Sequence, residues 1–164
     1  MLSLFLLTMS AFASTPVSTD LSGPVLSVEG SGIGMIDSCN AVVPGVRLGY
    51  RFDRPFDAEK PRGLAGVLRP EVGIRGLPCQ GGTLFAGGRA GLRAGPAELG
   101  IYTHVGGTGL VSEISGFDAY PNLGLGLATS LVIRPVEVTV HAGAMYGYLG
   151  QPWGELGATV GVVF

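Results

Sequence analysis

The sequence predicts an all-β fold, an eight-stranded antiparallel up-and-down barrel, on the strength of three observations. Apolar and polar residues alternate along most of the chain, which is the period of a strand with two different faces. The chain contains 29 glycines, and short clusters of Gly, Pro, Asn and Asp separate the alternating segments. After the N-terminus, no apolar run reaches the roughly 18 residues that a membrane helix needs.

Eight segments of about ten residues or more carry the alternation. The predicted strands are Val25 to Ile36, Pro44 to Asp53, Leu64 to Gly76, Thr83 to Ala94, Ala97 to Gly106, Ala119 to Ile133, Val136 to Tyr148 and Gly154 to Phe164. At 164 residues the chain has the length of one domain. Eight antiparallel strands form a closed barrel whose interior is just wide enough for side chains to fill.

The composition narrows the class of protein. Ten basic residues against twelve acidic ones give a formal net charge of -2, and no basic run stands out, which argues against nucleic acid as a partner. Charged residues are 13% of the chain, against roughly a quarter in ordinary soluble domains, and Lys60 is the single lysine. The chain is strongly apolar but has no segment long enough for a membrane-spanning helix. Two classes of protein fit this composition: a membrane barrel, or an unusually apolar soluble β protein.

The N-terminus predicts export. Leu2 to Ala13 is an apolar run that ends in the small-x-small pattern Ala11-Phe12-Ala13, which signal peptidase accepts. We therefore interpret residues 1–13 as a cleaved secretory signal peptide, 14–23 as a flexible leader, and 24–164 as the barrel. The alternative is a buried strand or helix. No Lys or Arg precedes the apolar run, which leaves open whether Met1 is the true start.

The final segment carries a resemblance to a known family. Its apolar residues Leu156, Ala158, Val160, Val162 and Phe164 share one parity, and the sequence stops on the aromatic. This resembles the closing strand of bacterial outer-membrane β-barrels, in particular the small eight-stranded ones. In that family the terminal Phe and the apolar residues before it are recognised by the barrel-assembly machinery, which implies an assembly signal at Val160, Val162 and Phe164.

The resemblance implies a transmembrane barrel integral to the bacterial outer membrane. Its implied partners are outer-membrane lipids, lipopolysaccharide and the assembly machinery, and we expect a monomer without a cofactor. Short periplasmic turns are typical of the family. Gly95-Pro96 and Arg134-Pro135 match this habit, whereas the connection Arg54 to Gly63 is longer.

Aromatic residues on the apolar parity favour the membrane interpretation. With a path that starts in the periplasm, they fall into two girdles about one strand length apart, as membrane interfaces select. The periplasmic girdle is Tyr50, Phe52 and Phe164, and the outer girdle is Tyr146, Tyr148 and Trp153.

The opposite parity collects charges of both signs. It holds the basic residues Arg47, Arg51, Arg69, Arg75, Arg89 and Arg93, and the acidic residues Glu29, Asp53, Glu71, Glu98, Glu137 and Glu155. All six arginines lie on the second to fourth predicted strands, and four of the acids lie on the first, fifth, seventh and eighth. We predict that the two sets meet across the lumen as a plug of ion pairs, so that the barrel is not an open pore. A solvated sheet face and a charge-lined pore are the alternatives.

Two cysteines fall in connections on the same predicted rim. Cys39 lies between the first two predicted strands, and Cys79 between the third and fourth. In an exported chain this favours one disulfide that ties down the outer loops. Free thiols or a redox pair remain open, and the Cys and His residues give poor support for a metal site.

Catalysis is the weaker interpretation. Some small outer-membrane barrels are lipid-modifying enzymes, and His104 with Ser112 or Ser115 and an acid is compatible with acyl transfer. The sequence has no G-x-S-x-G elbow, so we expect a structural or surface-interaction role and no enzyme activity. A soluble periplasmic lipid-binding barrel is the other alternative, with Leu48, Ile101 and Val138 lining its cavity. The connection Gly107 to Asp118 is predicted to be an outer loop that folds over the lumen or contacts a partner.

Overall fold

The computed structural model describes residues 21–34, 41–57, 63–77, 81–112, 116–147 and 152–164. The strands are β1 (Gly23–Gly34), β2 (Ala41–Pro55), β3 (Leu64–Leu77), β4 (Gly81–Ala94), β5 (Ala97–Ser112), β6 (Gly116–Ile133), β7 (Val136–Tyr146) and β8 (Pro152–Val163). Each strand pairs antiparallel with the next, and β1 pairs with β8, so the sheet closes. The predicted all-β, eight-stranded closed barrel is confirmed.

Two rims bound the barrel. The turn rim carries both ends of the described chain and the tight turns Gly95-Pro96 and Arg134-Pro135, and corresponds to the predicted periplasmic end. Gly95 has φ of 60°, a left-handed conformation that this two-residue turn requires and that glycine adopts without strain. The opposite end, where β1 meets β2 and β5 meets β6, is the loop rim.

The predicted outer connection Gly107 to Asp118 is wrong over most of its length. Gly107 to Ser112 continue β5, and β6 begins at Gly116, with Thr108 facing Tyr120 and Ser112 facing Gly116 in the ladder. The glycines suggested a turn, but a long antiparallel pair satisfies their backbone groups as well as any loop. Only residues 113–115 separate the two strands.

The faces of the barrel follow the predicted parity. Along β7, exposed and buried residues alternate, and the exposed ones are apolar. Leu48, Ile101 and Val138 are 55%, 51% and 41% exposed. They lie on the outside, which contradicts the soluble lipid-carrier alternative, because that fold needs them around an internal cavity.

A small apolar cluster closes the turn rim. Leu21, Val25, Val132 and Val163 are buried together there. Ser22 accepts a hydrogen bond from the backbone N–H of Asp53 at 3.0 Å. The last residues of the predicted leader therefore contact the end of the barrel. No helix in the described part of the chain is long and apolar enough to cross a membrane.

Candidate functional site: an ion-pair network inside the barrel

The interior of the barrel holds buried charged side chains. The six inward arginines are each 4% exposed or less, and the five glutamates among the inward acids are each 6% exposed or less. Strand alternation puts them there, since each occupies an inward position between outward apolar neighbours. Burial of this kind requires that every charge find a partner.

Next to the turn rim, Asp53 and Arg93 form a bidentate pair. Arg93 Nε lies 2.6 Å from Asp53 Oδ2, and Arg93 Nη2 lies 2.9 Å from Oδ1. Arg93 also donates to the carbonyl of Gly95 at 2.9 Å, which ties the β4–β5 turn to the interior. Arg51 adds a contact of 3.3 Å to Asp53 and one of 2.6 Å to Glu98.

Two glutamates organise the middle of the lumen. Glu137 on β7 pairs with Arg69 on β3, and lies 3.3 Å from Arg89 and 3.6 Å from Arg51. Glu71 on β3 lies 2.5 Å from Arg47, 3.3 Å from Arg69 and 3.4 Å from Arg89. The Arg69–Glu137 contact crosses the lumen between strands that are not neighbours in the sheet.

Further toward the loop rim, Glu29 on β1 pairs with both Arg47 and Arg75. Arg75 also lies 2.7 Å from Glu155 on β8. Glu155 in turn meets His141 Nε2 at 3.0 Å and accepts from the Tyr102 hydroxyl at 3.4 Å.

These contacts join all the inward charges of the described residues into one network. From Glu155 it runs through Arg75, Glu29, Arg47 and Glu71 to the arginines around Glu137, and from there to the turn rim. Its six arginines and six carboxylates balance in formal charge. Such a network occupies the lumen with paired side chains of both signs.

A layer of uncharged side chains lies on the loop-rim side of the network. The guanidinium carbons of Arg47 and Arg75 lie over the Phe85 ring, 5.1 Å and 5.5 Å from its centre. Thr83 and Thr108 share a hydrogen bond of 3.1 Å, and the Asn122 amide donates to Thr108 at 2.7 Å. Sequence reasoning missed Phe85 and Asn122 because it followed charges, although both have inward parity.

His104 belongs to the uncharged layer. Its ring lies 5.2 Å from Phe85 and 6.1 Å from Tyr102, and neither ring nitrogen bonds to another described residue. Ser115 lies outside the described residues, as does the side chain of Ser112. The described residues thus bring no nucleophile or acid to His104, and the geometry gives no support to the acyl-transfer alternative.

The outward aromatic residues lie at the two rims. At the turn rim Tyr50, Phe52 and Phe164 are 43%, 50% and 63% exposed, and the Tyr50 and Phe52 rings lie 4.7 Å apart. Tyr146 is exposed at the loop rim. Tyr148 and the side chain of Trp153 lie outside the described residues, so the outer girdle is described at one position.

Three further predictions concern the assembly signal in the last strand, the disulfide and the signal peptide. Val160 and Val162 of the predicted assembly signal face outward with Phe164. Cys39, Cys79 and the predicted signal peptide lie outside the described residues, so the disulfide and the cleavage remain predictions.

Comparison with known proteins identifies the fold. The sequence matches no protein-family model and no curated protein. Neisserial surface protein A (NspA) is similar in structure, with a TM-score of 0.51 at 18% identity, over 88% of this chain and 98% of that one. Ail, the attachment invasion locus protein of Yersinia pestis, has a TM-score of 0.51 at 16% identity, over 87% of this chain and 97% of that one. The chain therefore has the fold of the small eight-stranded bacterial outer-membrane β-barrels, the family that its sequence resembles.

Proposed function

We propose that this chain is an integral outer-membrane barrel with a charge-plugged interior, which serves a structural or surface-interaction role and is not a porin. The proposal rests on one observation: the apolar side chains lie on the outside of the barrel and the charged side chains lie inside it. Its described outward positions are apolar, glycine, proline or threonine on every strand, with Arg54 near the end of β2 the one charge, whereas its buried positions hold paired arginines and carboxylates. A lipid bilayer is the solvent that stabilises such a surface, because water would have to hydrate the whole apolar band.

The location follows from this surface and from the fold. The apolar band, the tight turns on one rim and the aromatic residues at the rims suit the bacterial outer membrane. In this setting the outer-membrane lipids and lipopolysaccharide surround the barrel, the assembly machinery inserts it through Phe164 and its outward neighbours, and residues 1–13 direct export.

The surface-interaction role has support from the structural neighbours. One is a neisserial surface protein and the other an attachment invasion locus protein. In a barrel with a filled lumen, the connections at the loop rim are the parts that meet other molecules. Contact with cells, matrix or lipopolysaccharide through these connections is the role we propose.

Cell fractionation tests the location. The chain is expressed with and without Leu2 to Ala13 in a Gram-negative host, and the outer-membrane fraction is run unboiled and boiled on a denaturing gel. We expect the full chain in that fraction, with a mobility shift on boiling, because membrane barrels stay folded in detergent until heated. A soluble periplasmic protein without the shift contradicts the proposal.

Planar-bilayer recording tests the plug. We expect no discrete conductance steps from the purified barrel, because its lumen is filled by paired side chains. Conductance steps that appear only when the protein is added would contradict the plug.

The surface role is tested by measuring how well expressing cells attach to matrix and to host cells. In the test variants, short Gly-Ser segments replace residues 35–40, 78–80, 113–115 and 148–151. Unchanged attachment, with the barrel still present, opposes that role.

A further inference from the structure

The lipid-facing surface carries one charge in the described strands. Every outward side chain that the structure describes from β1 to β8 is apolar, glycine, proline or threonine, except Arg54 near the end of β2. Arg54 is exposed and lies at the turn rim, two residues beyond Phe52 of the aromatic girdle. A lone arginine on an apolar surface is expensive inside a bilayer and is stable where anionic groups are within reach.

No carboxylate within the described ranges pairs with Arg54. Its neighbour in the chain, Asp53, points inward to Arg93 and Arg51. Asp57 lies beyond the end of β2. Among the described residues, the exposed guanidinium of Arg54 therefore has no carboxylate partner.

A hollow lies beside this guanidinium. Gly66 pairs directly with Arg54 across the β2–β3 ladder and with Leu92 across the β3–β4 ladder. The missing side chain at Gly66 leaves a gap among larger outward residues. The hollow measures about 1040 Å³, and its walls include Phe52, Phe56, Leu68, Ala90 and Leu92.

Phe56 forms one wall of the hollow. Its backbone N–H donates to the carbonyl of Leu64 at 3.0 Å, which holds the residue at the start of the β2–β3 connection. A Cβ placed on Gly66 would lie 3.5 Å from Phe56 Cζ, so the aromatic ring stands next to the gap. Phe56 is 67% exposed and extends the aromatic girdle that the sequence predicted.

We propose that this hollow binds one anionic phospholipid of the periplasmic leaflet. The headgroup phosphate lies on Arg54, whose planar fork of donors matches phosphate oxygens. An acyl chain lies over Gly66, between Phe56 and Leu92, where the hollow is apolar. This inference rests on the proposed outer-membrane location, because the ligand is a lipid of that membrane.

Native mass spectrometry tests the site. The full chain is folded in detergent, freed of lipid, and offered phosphatidylglycerol or phosphatidylethanolamine at equal concentration. We expect one phosphatidylglycerol to be retained in preference to phosphatidylethanolamine. Arg54→Gln should weaken its retention about fivefold, the usual contribution of one basic residue near an anionic membrane surface. Gly66→Leu should also weaken it, since the side chain fills the hollow while Arg54 stays in place.

Arg134→Gln is the matched control. It removes the same charge from the same rim, at the exposed β6–β7 turn, away from the hollow. Its retention of phosphatidylglycerol should equal that of the original chain. Equal retention of the two lipids, unchanged retention in Arg54→Gln or Gly66→Leu, or an equal loss in Arg134→Gln would overturn the proposal.

A heat-dependent gel shift for each variant separates this outcome from a failure of the proposed function. A chain that shifts on boiling and fractionates with the outer membrane, yet shows no lipid preference, refutes the site alone. A chain that appears in the soluble periplasm refutes the membrane location first.

Discussion

Asp53 on β2 holds Arg93 on β4 through both carboxylate oxygens, at 2.6 Å and 2.9 Å, although β3 separates the two strands. The pair spans a neighbouring strand and lies at the end of the lumen where the tight turns are. Together with the cluster around Leu21, it closes the turn rim. We expect it to contribute to stability through coupling, because removing Asp53 leaves Arg93 buried without a carboxylate, and removing Arg93 leaves Asp53 with only its 3.3 Å contact to Arg51.

A double-mutant cycle measures this coupling. Asp53→Asn and Arg93→Gln should each lower the free energy of unfolding by about 3–5 kcal/mol. The double variant should lose less than the sum, with an interaction of about 0.5–3 kcal/mol. Urea unfolding in lipid vesicles provides the values. Strict additivity of the two losses contradicts a direct pair.

The number of arginines that pair with a glutamate should determine how much the free energy of unfolding falls when that glutamate is replaced. Glu29 pairs with both Arg47 and Arg75, whereas Glu98 has one described partner, Arg51. Glu29→Gln should therefore lower the free energy of unfolding more than Glu98→Gln, with the larger loss approaching about 3 kcal/mol. Thr103→Val, a neutral change on the outward face of β5, serves as the control and should stay within about 0.5 kcal/mol. The reverse order of the two glutamine variants contradicts the network.

The His104 ring occupies the space into which a side chain at position 124 would project. A Cβ on Gly124 would lie 2.2 Å from His104 Cε1, and the imidazole lies beside Phe85 and Tyr102. Gly124→Ala should lower the melting temperature of the detergent-folded barrel, at a cost of about 1–3 kcal/mol for overpacking. Gly154→Ala is the control, because nothing lies within 4 Å of the added Cβ.

His104→Ala in the Gly124→Ala background supplies the rescue. The melting temperature should recover toward that of His104→Ala alone, because the three atoms nearest to the added Cβ all belong to the His104 ring. An additive loss in the double variant would indicate that Gly124 is required for a backbone reason instead.

A charge on the outer face distinguishes a membrane barrel from a soluble one. Leu127 is 62% exposed in the middle of β6. In a bilayer, Leu127→Arg should destabilise the barrel by about 2–4 kcal/mol. Refolding into vesicles, followed by the boiling-dependent gel shift, measures the loss. A soluble surface tolerates such a change within about 0.5 kcal/mol, so an unaffected variant contradicts the membrane proposal.

The sequence by itself determined which side chains share a face. The period of two in β2 separates Val46, Leu48 and Phe52 from Arg47 and Arg51, and no tertiary information is needed for that separation. Counting such segments led to eight strands and to a barrel. It also placed the arginines opposite most of the carboxylates in broad terms, since four of the six acids lie on strands without an inward arginine.

Tertiary structure decided the direction of those faces and the choice of partners. Alternation is the same whether the apolar parity points in or out, so only the closed sheet placed Leu48 outside and Arg47 inside. Which acid meets which arginine depends on strand register across the lumen: Arg69 and Glu137 are 68 positions apart and meet because the four ladders between β3 and β7 fix their heights. Hydrogen bonds between strands, and not local residue preferences, determine where each strand ends and which side chains become neighbours. For this reason the sequence alone predicted neither the continuation of β5 to Ser112 nor the hollow beside Arg54.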